Sequence, residues 1–431
     1  MPRRTTSPPT ILFAPAHTLI DETQGGSEYY WPYKLIERLA LDHGVRVIAL
    51  TIQPHVEHTP PGVRFVSVDP GGPLPTSNLD RLRFHLRVYR KARKILVEDA
   101  SIDIVHHMLP FGFRATFNVL ALCHRRTDPP IVFGPLQPPL SFTGDDEALV
   151  ALRDFSGAMD GVPASGHRRA PPLSTFATLP VLSALSAATL HRADVLVAIS
   201  ERAARLYSSF ADRDDLAVIP PGVDTNAFTS SPARERVEAT NGDPPVEVVA
   251  IGYLMQRKAF DVLIRAVGRL VAQGLPVHLR LIGEGPARGQ LEDLIRQMGV
   301  ERQVTLAGRV PHHAMAHEYR RADIFCSTSL SEGFATVALE ALACGLPVVA
   351  TPAGGFREVL SQDRVGTLVR FGDVDGLTVA LAELITNRAL RESMGRAART
   401  LAVQEYDWSV IAARYLALYQ RLTSLVDADV S

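Results

Sequence analysis

Residues 322–360, ADIFCSTSLSEGFATVALEALACGLPVVATPAGGFREVL, carry the pattern that decides the fold class. A short β-rich run at 324–327 enters a Ser- and Gly-containing loop, 329–333. Helix-period sequence follows over 335–343, and a second apolar run begins at 347. Buried strands of this length separated by helices predict a parallel sheet covered on both faces. The same alternation continues on either side. Further strands are predicted at 246–251, 277–282, 304–307 and 366–369, with helices near 259–273, 289–298, 314–320 and 376–386. The first half repeats it, with strands at 10–15, 45–52, 102–106, 131–133, 195–199 and 217–219, and a helix over 30–42 stopped by His43-Gly44.

Two successive arrays of this kind predict an α/β protein of two Rossmann-like, doubly wound domains, although pattern alone leaves a single barrel open. A polar stretch at 229–245 reads as the exposed linker between them. The expected division is 1–225 for the first domain and 226–408 for the second. A last helix, about 409–431, is free to pack on either and is assigned back onto the first. Residues 141–172 are rich in Gly, Pro and Asp and read as a mobile flap or an insertion.

Composition narrows the function. The chain has 431 residues, 46% hydrophobic and 21% charged, with a formal net charge of −1. That balance argues against a dedicated nucleic-acid binder. Three widely spaced cysteines suit a reducing compartment and give neither a disulfide framework nor a zinc pattern. No apolar run approaches the roughly 18–20 residues of a membrane span, and the first strand meets His17, Asp21 and Glu22 too soon for a secretion signal. Only Lys34, Lys91, Lys94 and Lys258 are lysines among 45 basic residues.

Chemistry concentrates at strand ends. Glu332 and Glu340 stand eight apart, one at a loop and one deeper in the following helix, whose N-terminus offers N–H groups to an anion. By spacing alone, two solvated glutamates on an amphipathic helix are the ordinary reading. The strand ending at Gly252 leads to Arg257-Lys258, two cations placed to neutralise a diphosphate. Lys258 is a lysine in a chain that otherwise chooses arginine, which points to a wanted point charge. Asp103-Ile104-Val105-His106-His107 puts imidazoles at a first-domain strand end. No G-x-G-x-x-G follows the first strand and no G-x4-G-K-[ST] occurs, so dinucleotide oxidoreductase and P-loop readings lose their main support.

Taken in order, these segments resemble the retaining GT-B glycosyltransferases of family 4, a nucleotide-sugar-dependent group. Gly25-Gly26-Ser27-Glu28 is similar to the family's first-loop GG-x-E, Asp103 to His107 to its D-x-x-H-H, and Phe133-Gly134-Pro135 to a GP segment of one branch. Ala193-Asp194 to Ser200, Pro220-Pro221-Gly222-Val223-Asp224, Gly252 to Lys258, Gly283-Glu284-Gly285-Pro286 and Gly308-Arg309-Val310 match in register, and Glu332 to Glu340 matches the E-x7-E signature.

The resemblance implies two domains facing a cleft, with the donor on the second and the acceptor on the first. It assigns His107, Lys258 and Glu332 to catalysis. Donor binding falls to Gly25, Gly26, Gly252, Arg257, Lys258, Val310, Glu332, Gly333, Phe334, Ala335 and Glu340, with Glu340 on the ribose hydroxyls. The implied reaction moves a sugar from a nucleoside-diphosphate sugar, UDP before GDP, to a small or lipid-linked hydroxylated acceptor, with retention. The departing diphosphate would help deprotonate the acceptor. No cofactor or metal is required, and Asp373-Val374-Asp375 reads as a loop element in preference to a metal motif. Tyr253 stands where the family usually has arginine, and Leu136-Gln137-Pro138-Pro139 departs from the branch's glycines. The alternatives are a sugar-nucleotide epimerase or hydrolase of the same fold, or a silent nucleotide-sugar-binding protein. The expected location is cytoplasmic. A basic amphipathic helix over 79–96 offers weak peripheral contact with a membrane, or is simply a solvated face.

Overall fold

The computed structural model describes residues 8–22, 30–75, 77–108, 117–125, 127–137, 173–230, 244–361 and 364–430. They form two compact units, one from the chain up to 137 with 173–221 and 408–430, the other from 222–407.

The first unit is built on strands β1 (Thr10–Phe13), β3 (Arg46–Thr51), β5 (Val63–Ser67), β6 (Ile104–His107), β7 (Ile131–Leu136), β8 (Val195–Ala198) and β9 (Ala217–Val218). They lie parallel in the order β5-β3-β1-β6-β7-β8-β9. Two very short strands, β2 (Leu19–Asp21) and β4 (Gln53–His55), pair separately. Successive side chains of a strand point to opposite faces. Accordingly Ile11, Phe13 and Ile104 pack with Trp31, Leu35 and Leu39 of helix Tyr30–His43 on one face. Leu12, Ala14 and Val105 pack with Phe84, Val88 and Ile95 of helix Asn78–Glu98 on the other. That second helix opens with a capping box, in which the Ser77 hydroxyl accepts from Asp80 N–H and the Asp80 carboxylate accepts from Ser77 N–H. The helix Trp408–Val430 joins the first face through Trp408, Ile411, Tyr415 and Tyr419.

The second unit holds β10 (Val246–Ile251), β11 (Val277–Ile282), β12 (Val304–Gly308), β13 (Ile324–Ser327), β14 (Val348–Ala350) and β15 (Gly366–Leu368), parallel in the order β12-β11-β10-β13-β14-β15. Its core joins Val248, Ala250, Leu279 and Ile324 to Leu263, Val267 and Leu270 of helix Phe260–Ala272. Each such fully buried aliphatic side chain contributes on the order of 1.5–3 kcal/mol.

The differences from the sequence reading are local. β5 was not foreseen because it is an edge strand, half-exposed along most of its length and without a continuous apolar run. The chain changes unit at Pro221–Gly222, ahead of the polar stretch. Val223 and Thr225 are already tied within the second unit, through Val223 N–H to the Tyr406 carbonyl at 2.8 Å and Thr225 Oγ1 to Asp407 Oδ2 at 2.5 Å. A run of apolar and turn residues here marks the crossing, and composition alone did not. The expected flap at 141–172 and most of the polar stretch, 231–243, lie outside the described residues.

Candidate functional site

In an open parallel sheet a crevice forms at the carboxyl ends of the two strands where the order reverses, because their loops leave toward opposite faces. In the second unit that point lies between β10 and β13. The loop after β10 carries Arg257 and Lys258 in a 3-10 turn, Gln256–Lys258, and the loop after β13 carries Glu332. The two loops are stitched together. Leu330 N–H donates to Arg257 O at 2.8 Å, and the Thr328 hydroxyl lies 3.0 and 2.8 Å from the carbonyls of Lys258 and Ala259.

Their charged ends meet. Lys258 Nζ is hydrogen-bonded to Glu332 Oε1, with both side chains about nine-tenths buried. Arg257 Nη1 donates to the Ser331 carbonyl at 2.7 Å and lies 3.4 Å from Glu332 Oε2. Two cations thus flank one carboxylate, which leaves a positive excess at the crevice. Two glycines make the arrangement possible. A Cβ on Gly252 would sit 3.0 Å from Lys258 Cε, and one on Gly354 (φ +56) would sit 2.6 Å from the Glu332 carbonyl oxygen. Alanines in the left-handed region end both loops, Ala259 at φ +45 and Ala335 at φ +64, each as the N-cap of the next helix. Such strain in non-glycine residues gathers at functional sites.

The second loop opens onto helix Thr336–Ala343. Among the described residues the N–H groups of Gly333, Phe334 and Ala335 take no backbone acceptor, so they remain for an anion at the positive end of the helix. The Phe334 side chain is buried against Tyr406, with ring centroids 6.5 Å apart, and so packs the loop from beneath. Glu340, one turn deeper, is buried. Its Oε1 lies 2.9 Å from His312 Nε2, and its Oε2 accepts from the Tyr319 hydroxyl at 2.8 Å. Burial, with the Glu340 carboxylate adding to it, raises the Tyr319 phenol well above its ordinary range and keeps it a neutral donor. Each carboxylate oxygen retains a lone pair for a further donor.

The remaining predicted positions are placed as follows. Val310 is half-buried just past the end of β12. Tyr253 is 58% exposed and occupies no charged cluster. Asp373 caps helix Val374–Thr386, accepting from Gly376 N–H at 2.8 Å, and Asp375 pairs with Arg269. Gly25 and Gly26 lie outside the described residues.

In the first unit the reversal falls between β1 and β6. Among the described residues, those packed around His107 are neutral. His107 ends β6, fully buried, with Nδ1 3.0 Å from Asn118 Nδ2 and its ring 4.4 Å from that of Phe133 and 6.0 Å from that of His85. Burial depresses the His17 imidazole to about 4 and that of His85 to about 3. Burial, followed by the neighbouring His85, His106 and His17, holds His107 well below its ordinary value. His106 points to the other face, where Nδ1 and the Tyr419 hydroxyl are 2.7 Å apart and Phe13 lies alongside. The strand-end pair therefore divides, with His106 packed on the Tyr419 side of the sheet and His107 buried on the other, beside His85 and Asn118.

Two doubly wound parallel sheets of this order define the GT-B architecture. Sucrose-phosphate synthase from Thermosynechococcus elongatus has the same fold, with a TM-score of 0.67 at 20% identity over 97% of this chain and 100% of that one. The family model described as Glycosyltransferase Family 4 matches residues 25–227, and that described as Glycosyl transferases group 1 matches 233–401. The chain belongs to the family 4, group 1 glycosyltransferases. It is 35% identical over 233 residues to the GDP-mannose-dependent alpha-(1-6)-phosphatidylinositol monomannoside mannosyltransferase of Mycolicibacterium smegmatis, 52% of this chain and 61% of that protein. It is 34% identical over 223 residues to the D-inositol 3-phosphate glycosyltransferase of Kribbella flavida, 49% of this chain and 52% of that protein. These matches span only about half to three-fifths of either relative's length.

Sequence reasoning missed His312 and Tyr319, the partners of Glu340, and Asn118, the partner of His107. Asn118 stands directly before an apolar run, which is a readable N-cap signal. Nothing in the spacing of His312 or Tyr319 announces a link to Glu340.

Proposed function

We propose that this chain transfers a sugar from a nucleoside-diphosphate sugar to a hydroxylated acceptor, with retention at the anomeric carbon. The observation that carries the reading is the Lys258–Glu332–Arg257 cluster at the strand-order reversal of the second unit, beside free amides at a helix N-terminus. A diphosphate entering there meets an ammonium, a guanidinium and aligned N–H groups, the preorganised set that stabilises a leaving diphosphate. Glu340, oriented by His312 and Tyr319, reads the ribose hydroxyls through charge-assisted bonds. His107 of the first unit serves the sugar end. The leaving diphosphate oxygen takes the acceptor's proton as the glycosidic bond forms on the same face, so no protein carboxylate is needed as base.

The name of the Mycolicibacterium relative specifies GDP-mannose and a phosphatidylinositol mannoside, which favours a GDP-sugar over UDP here and a lipid-linked acceptor over a free one. Helix Asn78–Glu98 fits a membrane-facing role. It exposes Arg83, Arg87, Arg90, Lys91 and Lys94 beside Leu86 and Val97, although Arg83 and Lys94 also pair with Asp80 and Glu98. Among the described residues no helix is long and apolar enough to cross a membrane.

The test follows sugar donor and product by proton NMR, with GDP- and UDP-sugars offered beside inositol-type acceptors. A new glycoside with the donor's anomeric configuration is the expected result. Donor consumption without a glycoside would make the chain a hydrolase or epimerase, and an inverted product would overturn retention. Thermal shifts with UDP and GDP separate the bases, since a ligand at 100 times its Kd stabilises by roughly 2.7 kcal/mol.

A further inference from the structure

The side chain of Asn118 caps the short helix Val119–Leu122, with Oδ1 accepting from Leu120 N–H at 2.8 Å. That bond fixes which end of the amide is oxygen and which is NH2. Nδ2 then faces two neighbours, the Ala14 carbonyl at 2.9 Å and His107 Nδ1 at 3.0 Å. The backbone is pinned as well. Asn118 N–H donates to Thr189 Oγ1 at 3.0 Å, and the Thr189 hydroxyl donates in turn to the Leu185 carbonyl at 2.8 Å. A flipped amide would set an NH2 against Leu120 N–H and an oxygen against the Ala14 carbonyl, so one orientation alone satisfies the site.

An NH2 group has only protons to offer, so His107 Nδ1 must present its lone pair. In a neutral imidazole the single proton then resides on Nε2. Burial keeps the ring uncharged, with His85, His106 and His17 adding to the effect. His107 Nε2 is buried and has no hydrogen-bond partner among the described residues, which is also true of His106 Nε2 on the other face. A buried donor left unmade is costly, and here it stands at the strand-order reversal, where a ligand would supply the missing acceptor.

We infer that Asn118 is a positioning residue that locks His107 as an Nε2–H hydrogen-bond donor, aimed at an oxygen of the transferred sugar. This rests on the proposed function in one respect, the presence of the sugar at His107. The lock excludes His107 as general base toward the acceptor hydroxyl, because its free nitrogen already carries the proton.

The experiment is a two-bond nitrogen–proton correlation spectrum of the full chain with labelled histidine, without substrate. The expected result for His107 is an unprotonated Nδ1 and a protonated Nε2. A protonated Nδ1 would overturn the lock. Asn118→Asp keeps the helix cap and the side-chain shape but offers Nδ1 an acceptor, so the proton is expected to move to Nδ1. Turnover should then fall roughly 10- to 100-fold, mainly in kcat. Asn118→Ser, which retains a cap and removes the NH2, is expected to give mixed tautomers and an intermediate rate if the aspartate variant folds poorly. Full kcat in either folded variant would sink the positioning role. Full turnover in His107→Ala, with the Nε2–H tautomer seen in the unsubstituted chain, would instead remove the sugar from this site and leave the tautomer standing.

Discussion

At the reversal between β10 and β13 the side chains are charged and answer one another, Lys258 and Arg257 against Glu332, with Glu340 held by two donors. At the reversal between β1 and β6 the described side chains gathered around His107 are polar but neutral, with the Asn118 amide on its ring and His85 and His17 nearby. The order reverses in the same way in the two sheets, and the described side chains beside it differ in charge. Strand order decides where a crevice forms. What the crevice does is decided by the residues just beyond two strand ends. A charged crevice suits a diphosphate, whose binding replaces one set of ion contacts with another. A neutral crevice suits a sugar, whose hydroxyls need fixed donors and acceptors without the desolvation cost of a buried charge.

The largest effect should come from breaking the charged side. Lys258→Ala is expected to lower kcat roughly 100- to 1,000-fold, the scale for removing one preorganised charge contact, with the circular dichroism spectrum unchanged. Glu340→Ala should weaken the donor as well as the rate. Near-normal kcat/KM in both would mean that the charged crevice is not the reacting end.

Acid should break the neutral side. His17, His85 and His106 titrate at about 4, 3 and 3 in the fold, against 6.5 in an unfolded chain. Below pH 6.5 the unfolded chain therefore binds more protons than the native one, and stability is lost as pH falls from about 6.5 toward 4. At pH 5.5 the loss is about 1 kcal/mol for each such histidine. Hydrogen exchange should show the first unit loosening ahead of the second over that range. Equal loss in both would remove the contrast.

Smaller effects sharpen it. Tyr319→Phe takes one of the two donors from a buried carboxylate, a change of about 1.5–3 kcal/mol. The expected readout is a rise in donor KM of roughly 10-fold or more with a smaller change in kcat. The smallest should be Tyr419→Phe, which removes the hydroxyl bonded to His106. A stability loss of about 1 kcal/mol is expected by chemical denaturation, with donor KM unaltered, because that ring faces the core.

Much of this was legible beforehand. The short continuous apolar runs and their helical spacers determine both sheets, since a parallel strand buried on two faces must be largely apolar throughout. The placement of Lys258, Glu332 and Glu340 near one strand-order reversal was legible because residues just beyond the strand ends gather there. What escaped depends on long-range packing. Glu340 meets His312 and Tyr319 only because the helix His312–Arg321 lies beside the helix Thr336–Ala343. The different fates of His106 and His107 turn on which helices cover each face of β6, something local sequence does not record. The anchoring of Arg257 to the Ser331 carbonyl beside Glu332 is likewise a contact between distant loops.

The path of the chain has a consequence for biosynthesis. The first unit receives its closing helix, Trp408–Val430, only after the whole of residues 222–407 has been made. Tyr419 of that helix covers His106, the immediate neighbour of His107. During translation the second unit is therefore complete while the first still exposes the β6 face that this helix will cover. A stop codon or frameshift shortly after Asp407 would spare the Lys258–Glu332 cluster and uncover the core beneath His106, a polarity of damage opposite to what its place in the gene suggests.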